Sequence, residues 1–128
     1  MKRIVMVVCT LIILSMAACS SRTHTFEIKD AAKINVTSGN TGKSVDVTDA
    51  DSIQYITDNI NGLTYSKGKK VNSDGWSYAL IWYDKDGKEQ KKLTVLNAYT
   101  VIFDGRYYKG MEADYEIDLA FLEKLFEE

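Results

Sequence analysis

The chain has 128 residues, of which 45% are hydrophobic and 27% charged, with sixteen Lys and Arg against eighteen Asp and Glu. That length suits one core and not two, because a domain needs roughly 50–200 residues to bury enough apolar surface, and the apolar content excludes an intrinsically disordered chain. A net charge of -2, with bases only in short clusters such as Lys67–Lys69–Lys70 and Lys91–Lys92, excludes a phosphate-tracking nucleic-acid binder.

Lys2 and Arg3 precede an apolar run from Ile4 to Met16. The run is shorter than the roughly 20 residues that a spanning helix needs, and the layout is that of a secretory signal peptide. It closes on Leu14-Ser15-Met16-Ala17-Ala18-Cys19, which resembles the lipobox of bacterial lipoproteins, an aliphatic residue and two small residues before a cysteine. Met16 stands where that family prefers Leu. The resemblance implies a diacylglycerol on the Cys19 sulfur, cleavage between Ala18 and Cys19, and a mature chain held on the outer face of a bacterial membrane. Each acyl CH₂ contributes about 0.8 kcal/mol, so two chains anchor where one does not. Cysteine counting agrees with that reading, since Cys9, the other cysteine, lies in the discarded run and leaves Cys19 without a disulfide partner. Loss of Lys2 and Arg3 leaves fourteen bases against eighteen acids, a net charge of -4. Ser20 to Thr25 is small and polar and holds the single histidine, His24. It reads as a spacer. The expected organisation is a signal peptide over 1–18, lipidated cysteine and spacer over 19–25, and one globular domain over 26–128.

Within the domain, Phe26-Glu27-Ile28 and Ile34-Asn35-Val36 alternate apolar and polar residues, predicting two short strands or one interrupted strand, with a turn at Ser38 to Gly42. Val45 and Val47 predict the next strand. Thr48 with Asp51 three residues on is a capping-box-like helix start. Ile53, Ile56, Ile60 and Leu63 then make one stripe, and Asn61-Gly62 supplies the stop. Trp76 to Tyr83 is rich in aromatic and β-branched residues, Asp84-Lys85-Asp86-Gly87 is a hairpin signal, and Lys91 to Leu96 alternates again. Asn97-Ala98 turns the chain into Tyr99 to Phe103, and Asp104-Gly105 suits a two-residue type I′ turn before Arg106 to Lys109. Asp118 caps a last helix in which Leu119, Leu122, Leu125 and Phe126 share a face. The sum is an α+β fold: an antiparallel meander sheet with one central helix and one short C-terminal helix packed on it.

Motifs with catalytic echoes fail on their mechanics. Thr37 to Ser44 misses a phosphate-cradling loop at its first glycine, and Ser44-Val45-Asp46-Val47 is strand-like where that mechanism needs a helix, so no nucleotide is expected. Ser66-Lys67-Gly68-Lys69 has a serine–lysine spacing interrupted by Gly68, in a domain too small for the enzymes that use it. Asn72 to Gly75 resembles part of a calcium loop, but Lys70 and Ile81 stand at ligand positions, so no metal is expected. Asp46, Asp49, Asp51, Glu112, Asp114, Glu116 and Asp118 read as helix-start and surface acids. No cofactor and no catalytic residues are expected.

The aromatic residues carry the functional expectation. Trp76, Tyr78, Leu80 and Trp82 alternate with Ala79, Ile81 and Tyr83, so one set is core and the other free for contacts. Trp76, Tyr78, Trp82, Tyr83, Tyr107 and Tyr108 are therefore candidate ligand-binding aromatics, suited to a peptide, glycan or protein partner. The order of Val47-Thr48-Asp49-Ala50-Asp51-Ser52-Ile53, Trp82-Tyr83-Asp84-Lys85-Asp86-Gly87-Lys88 and Ile117-Asp118-Leu119-Ala120-Phe121-Leu122 resembles small uncharacterised lipoproteins of Gram-positive bacteria. That resemblance implies location and architecture. The leading functional expectation is a surface-tethered, non-enzymatic binding module. One alternative is an inhibitor or immunity-type lipoprotein that inserts the Ser66–Gly75 loop into an extracellular enzyme. The other is a carboxylate-dependent envelope hydrolase, which needs two acids about 5–10 Å apart in a cleft.

Overall fold

The computed structural model describes residues 23–68, 70, 75–111 and 115–127. Ala18 and Cys19 lie outside the described residues. Eight strands form one open antiparallel sheet: β1 Thr23–His24, β2 Lys33–Ser38, β3 Ser44–Val47, β4 Tyr65–Lys67, β5 Tyr78–Tyr83, β6 Glu89–Val95, β7 Thr100–Phe103 and β8 Arg106–Gly110. Their spatial order is β1-β4-β8-β7-β6-β5-β2-β3. Helices α1, Ala50–Asn61, and α2, Leu119–Lys124, complete the α+β architecture.

The expected meander is β5 to β8, and turn chemistry closes it. Asp84 folds the β5–β6 hairpin by accepting from the backbone N–H groups of Asp86 and Lys88 at 2.9 Å, with Gly87 at φ 78°. Asp104 and Gly105 sit at φ 52° and 72°, the two left-handed residues that a type I′ turn demands. Residues 38–43 close the β2–β3 hairpin through Gly42 N–H to Ser38 C=O and Ser38 N–H to Lys43 C=O. A strand, not a helix, follows Lys43.

Alternation then decides what is buried. Ile34, Val36, Leu80, Trp82, Leu93, Val95 and Val101 are wholly enclosed on one face. The cross-strand pairs Ile34–Trp82, Val36–Leu80 and Leu80–Leu93 carry this core from strand to strand. The stripe Ile53, Ile56, Ile60 with Leu63 presses α1 onto that face, and Leu122 of α2 joins it. Trp82 Nε1 donates to Thr57 Oγ1 at 3.0 Å, which ties the middle of α1 to the middle of the sheet. Among the described residues the opposite face carries no helix. One row across it reads Ser44, Thr37, Ala79, Thr94, Ile102 and Tyr107, a small and polar mixture that tolerates water.

Several local readings are corrected. The N-cap of α1 is Asp49, not Thr48, because its Oδ2 accepts from Ser52 N–H at 2.9 Å, and a carboxylate makes the stronger, charge-assisted bond. Phe26 to Ile28 is not a strand. Its backbone is held by a side chain instead: Asn61 Oδ1 accepts from Ile28 N–H at 3.0 Å and Asn61 Nδ2 donates to Ile28 C=O at 2.9 Å. The helix does stop at Asn61, with Gly62 as its C-cap donating to Asp58 C=O; at φ -74° that glycine is right-handed, so what it supplies is space. Thr23–His24, read as spacer, is a strand paired with β4, and the His24 ring packs within 4.8–6.0 Å of Phe26, Tyr108 and Phe103. The Ser66–Gly75 segment, read as a loop, begins inside β4, which lies between β1 and β8.

Candidate functional site

The six aromatics singled out by sequence do not form one surface. Trp82 is fully enclosed and Tyr78 is half-buried against Phe126, 6.2 Å between ring centroids. Those two belong to the helix-covered core. Tyr108 faces the ring cluster of His24 and Phe26. Tyr83 and Tyr107 lie half-buried on the uncovered face, where Lys33 Nζ sits 4.6 Å from the Tyr83 ring. Trp76 precedes β5, is 39% exposed, and lies against Gly39, where an added Cβ would collide with the Trp76 carbonyl oxygen. Alternation separated the two faces of β5 correctly but carried no information about which rings converge.

Convergence occurs elsewhere. A groove of about 600 Å³ runs between the outer side of α1 and the segment 115–120, with Ala98 at one end. Tyr55 at 47% and Tyr115 at 37% exposure line it, and Tyr99 at 40% stands beside Ala98. Its remaining walls include Asp58, Asn59, Glu116, Ile117 and Asp118. Tyr55 is turned outward because it falls off the Ile53–Ile56–Ile60 stripe, and that offset was the available sequence signal. Tyr115 has room because Gly62 lacks a side chain: a Cβ there would come within 2.7 Å of its hydroxyl.

Hydrogen bonds give the groove a fixed frame. Asn59 Nδ2 donates to Glu116 C=O at 3.0 Å, and its Oδ1 accepts from Asp118 N–H at 2.9 Å, so one side chain secures the incoming segment as a neighbouring strand would. Ile117 N–H reaches Ala98 C=O at 2.9 Å. Tyr55 Oη donates to Asp118 Oδ2 at 2.5 Å, while Asp118 Oδ1 caps α2 by accepting from Phe121 N–H at 3.0 Å. These two bonds, the tyrosine's first, hold the Asp118 carboxyl below the usual range, and the same contact raises the Tyr55 phenol. Tyr99 is likewise raised by donating to Glu116. The Tyr55 ring rests 4.5 Å from Phe121, which stiffens the rim.

Such an arrangement offers a contact surface. Its rings offer flat contact area at low entropic cost, and its lining among the described residues holds three carboxylates, Asp58, Glu116 and Asp118, and no cation. Its field therefore favours ligands with donors or positive charge over phosphate. Asp118 is occupied by Tyr55 and by the helix cap, so it acts as an acceptor already in use. Of the remaining sequence candidates, Asp46 pairs with Lys33 at 3.9 Å and accepts from Asn35, and Asp49 is a cap. Glu112, Asp114 and most of the 69–74 loop lie outside the described residues. Among the described residues no three His, Cys, Asp or Glu side chains gather as metal ligands would, and no helix is long and apolar enough to cross a membrane. No family model, no curated protein and no solved structure matches this chain.

Proposed function

We propose that the protein is a membrane-anchored, extracytoplasmic lipoprotein whose folded part acts as a binding module, with the Tyr55–Tyr115 groove as its ligand site. The single observation that carries the binding role is the meeting of two exposed rings, Tyr55 and Tyr115, in one groove whose charged lining among the described residues is acidic, with Tyr99 next in the chain to its Ala98. Rings of that size left in water add little to folding and suit a partner's apolar face. The proposed ligand is of the peptide or glycan class, offering hydroxyl, amide or cationic groups to Asp58 and Glu116. Anchoring rests on Leu14 to Cys19, with the lipid on the Cys19 sulfur.

Cross-linked capture from intact cells, with the lipidated chain as bait, tests the binding role. Recovery of a wall polymer or a peptide segment is expected, and Tyr55→Ala with Tyr115→Ala should abolish it while the chain still unfolds cooperatively. Capture unaffected by both substitutions would remove the groove from the proposal. Anchoring is tested separately by the mass of the mature N-terminus and by detergent-phase partitioning, which Cys19→Ser should eliminate.

A further inference from the structure

The point at which the chain joins the sheet bears on how the domain sits at a membrane. Thr23 pairs with Ser66 and His24 with Tyr65, antiparallel to β4, so Thr23 lies toward the Lys67 end of that strand. Only Ser20 to Arg22 separate Cys19 from this pairing. Four Cα steps span at most about 14 Å, which is under two Debye lengths at physiological salt. A lipid on Cys19 therefore holds this edge inside the field of the headgroups.

The edge has the charge for that position. The sequences of β1, β4 and β8 are Thr-His, Tyr-Ser-Lys and Arg-Tyr-Tyr-Lys-Gly, three cations and no acid. Lys67, Arg106 and Lys109 are exposed and have no ion-pair partner among the described residues. Lys109 continues the Thr23–Ser66 row on one face of the sheet, while Lys67, paired with Tyr108, and Arg106 lie on the other, so the cations flank this edge from both sides. A hollow of about 550 Å³ opens there, lined by Thr23, His24, Ser66, Lys67 and Tyr108. Its ring-and-lysine lining is suited to the interface, where tyrosine and lysine settle at headgroup depth. The helix layer is the reverse: α1, residues 116–118 and α2 carry Asp51, Asp58, Glu116, Asp118 and Glu123 against Lys124 alone. An anionic surface attracts the first strand's edge and repels the helix layer.

We propose that the β1–β4–β8 edge docks on anionic phospholipid headgroups through Lys67, Arg106 and Lys109, which fixes the orientation of the tethered domain. This rests on the anchoring reading for its biological setting, but the surface itself is testable without the lipid. The mature chain carrying Cys19→Ser is mixed with phosphatidylcholine vesicles with and without phosphatidylglycerol, and partitioning is read by sedimentation. Binding should need phosphatidylglycerol and fall with salt, and Lys67→Gln, Arg106→Gln and Lys109→Gln should each weaken it about fivefold. Lys43→Gln, on the β2–β3 loop, makes the same charge change elsewhere and should leave it unaltered. Equal partitioning to both vesicles, or an equal loss with Lys43→Gln, overturns the proposal. So does preference for soluble polyphosphate over vesicles, which would assign the edge to a soluble polyanion. A bare Cys19 sulfur in the native protein would instead defeat the anchoring reading, independently of the vesicle result.

Discussion

Replacing Thr57 by Val tests what sets the position of α1, and with it Tyr55, Asp58 and Asn59. Trp82 is fully enclosed and Thr57 is 5% exposed, so their 3.0 Å hydrogen bond is shielded from water. Valine keeps the branched shape and has a helix propensity close to that of threonine, so the perturbation is confined to the hydroxyl. Its loss leaves the indole N–H buried without an acceptor, which costs about 1–3 kcal/mol. The methyl that takes its place recovers less than about 1 kcal/mol by apolar transfer. The expected net loss is about 1–2 kcal/mol, or a fall in Tm on the order of 5–10 °C for a domain of this size. Urea unfolding of Thr57→Val, Trp82→Phe and the double variant supplies the cycle, with a coupling near 1 kcal/mol expected because Phe carries no donor to orphan. If Thr57→Val is as stable as the parent to within about 0.5 kcal/mol, or the two substitutions simply add, the bond does not secure the helix.

Asn61→Ala should cost about 2–3 kcal/mol in urea unfolding, since it deprives both backbone groups of Ile28 of their partners. Gly105→Ala should cost about 1–2 kcal/mol by forcing a Cβ into a left-handed position at φ 72°, visible as a lower urea midpoint with unchanged slope. The Asp118 carboxyl is held low in the folded state, so its contribution is present above the ordinary carboxylate pKa and disappears as pH falls through the depressed value. Tyr55→Phe removes the first cause of that depression and should flatten the acid side of a stability-against-pH curve measured from about pH 5 to pH 2. An unchanged acid limb would mean that the Phe121 backbone bond alone sets the carboxyl.

Local chemistry was enough to read the meander and the first helix. Asp84 to Gly87 and Asp104-Gly105 carry their turn geometry in the residues themselves, and the isoleucine stripe of α1 repeats at helical spacing, so each declares itself within a few residues. The pairing of β2 with β5 was not legible. Ile34 meets Trp82 across 48 residues of chain, and alternation in each strand states only that a partner exists. Strands of two and three residues, β1 and β4, are too short to show a period, and β4 exists because β8 needs a neighbour. Asn61 and Gly62 end the helix as read, but their further uses, one to pin Ile28 and the other to admit Tyr115, were not legible.

The same division governs the site. Periodicity marked which residues of β5 face together, but the helices had to choose a face before Trp82 became core and Tyr83 was left half-buried on the open side. Tyr55 and Tyr115 come from two separated segments, each a lone ring in its own neighbourhood, and only the docking of residues 115–120 on α1 brings both into one groove. Short-range propensity acts within a turn or two of chain, so it is inscribed in the residue order. Convergence depends on which buried faces find each other, a choice made by the whole core at once.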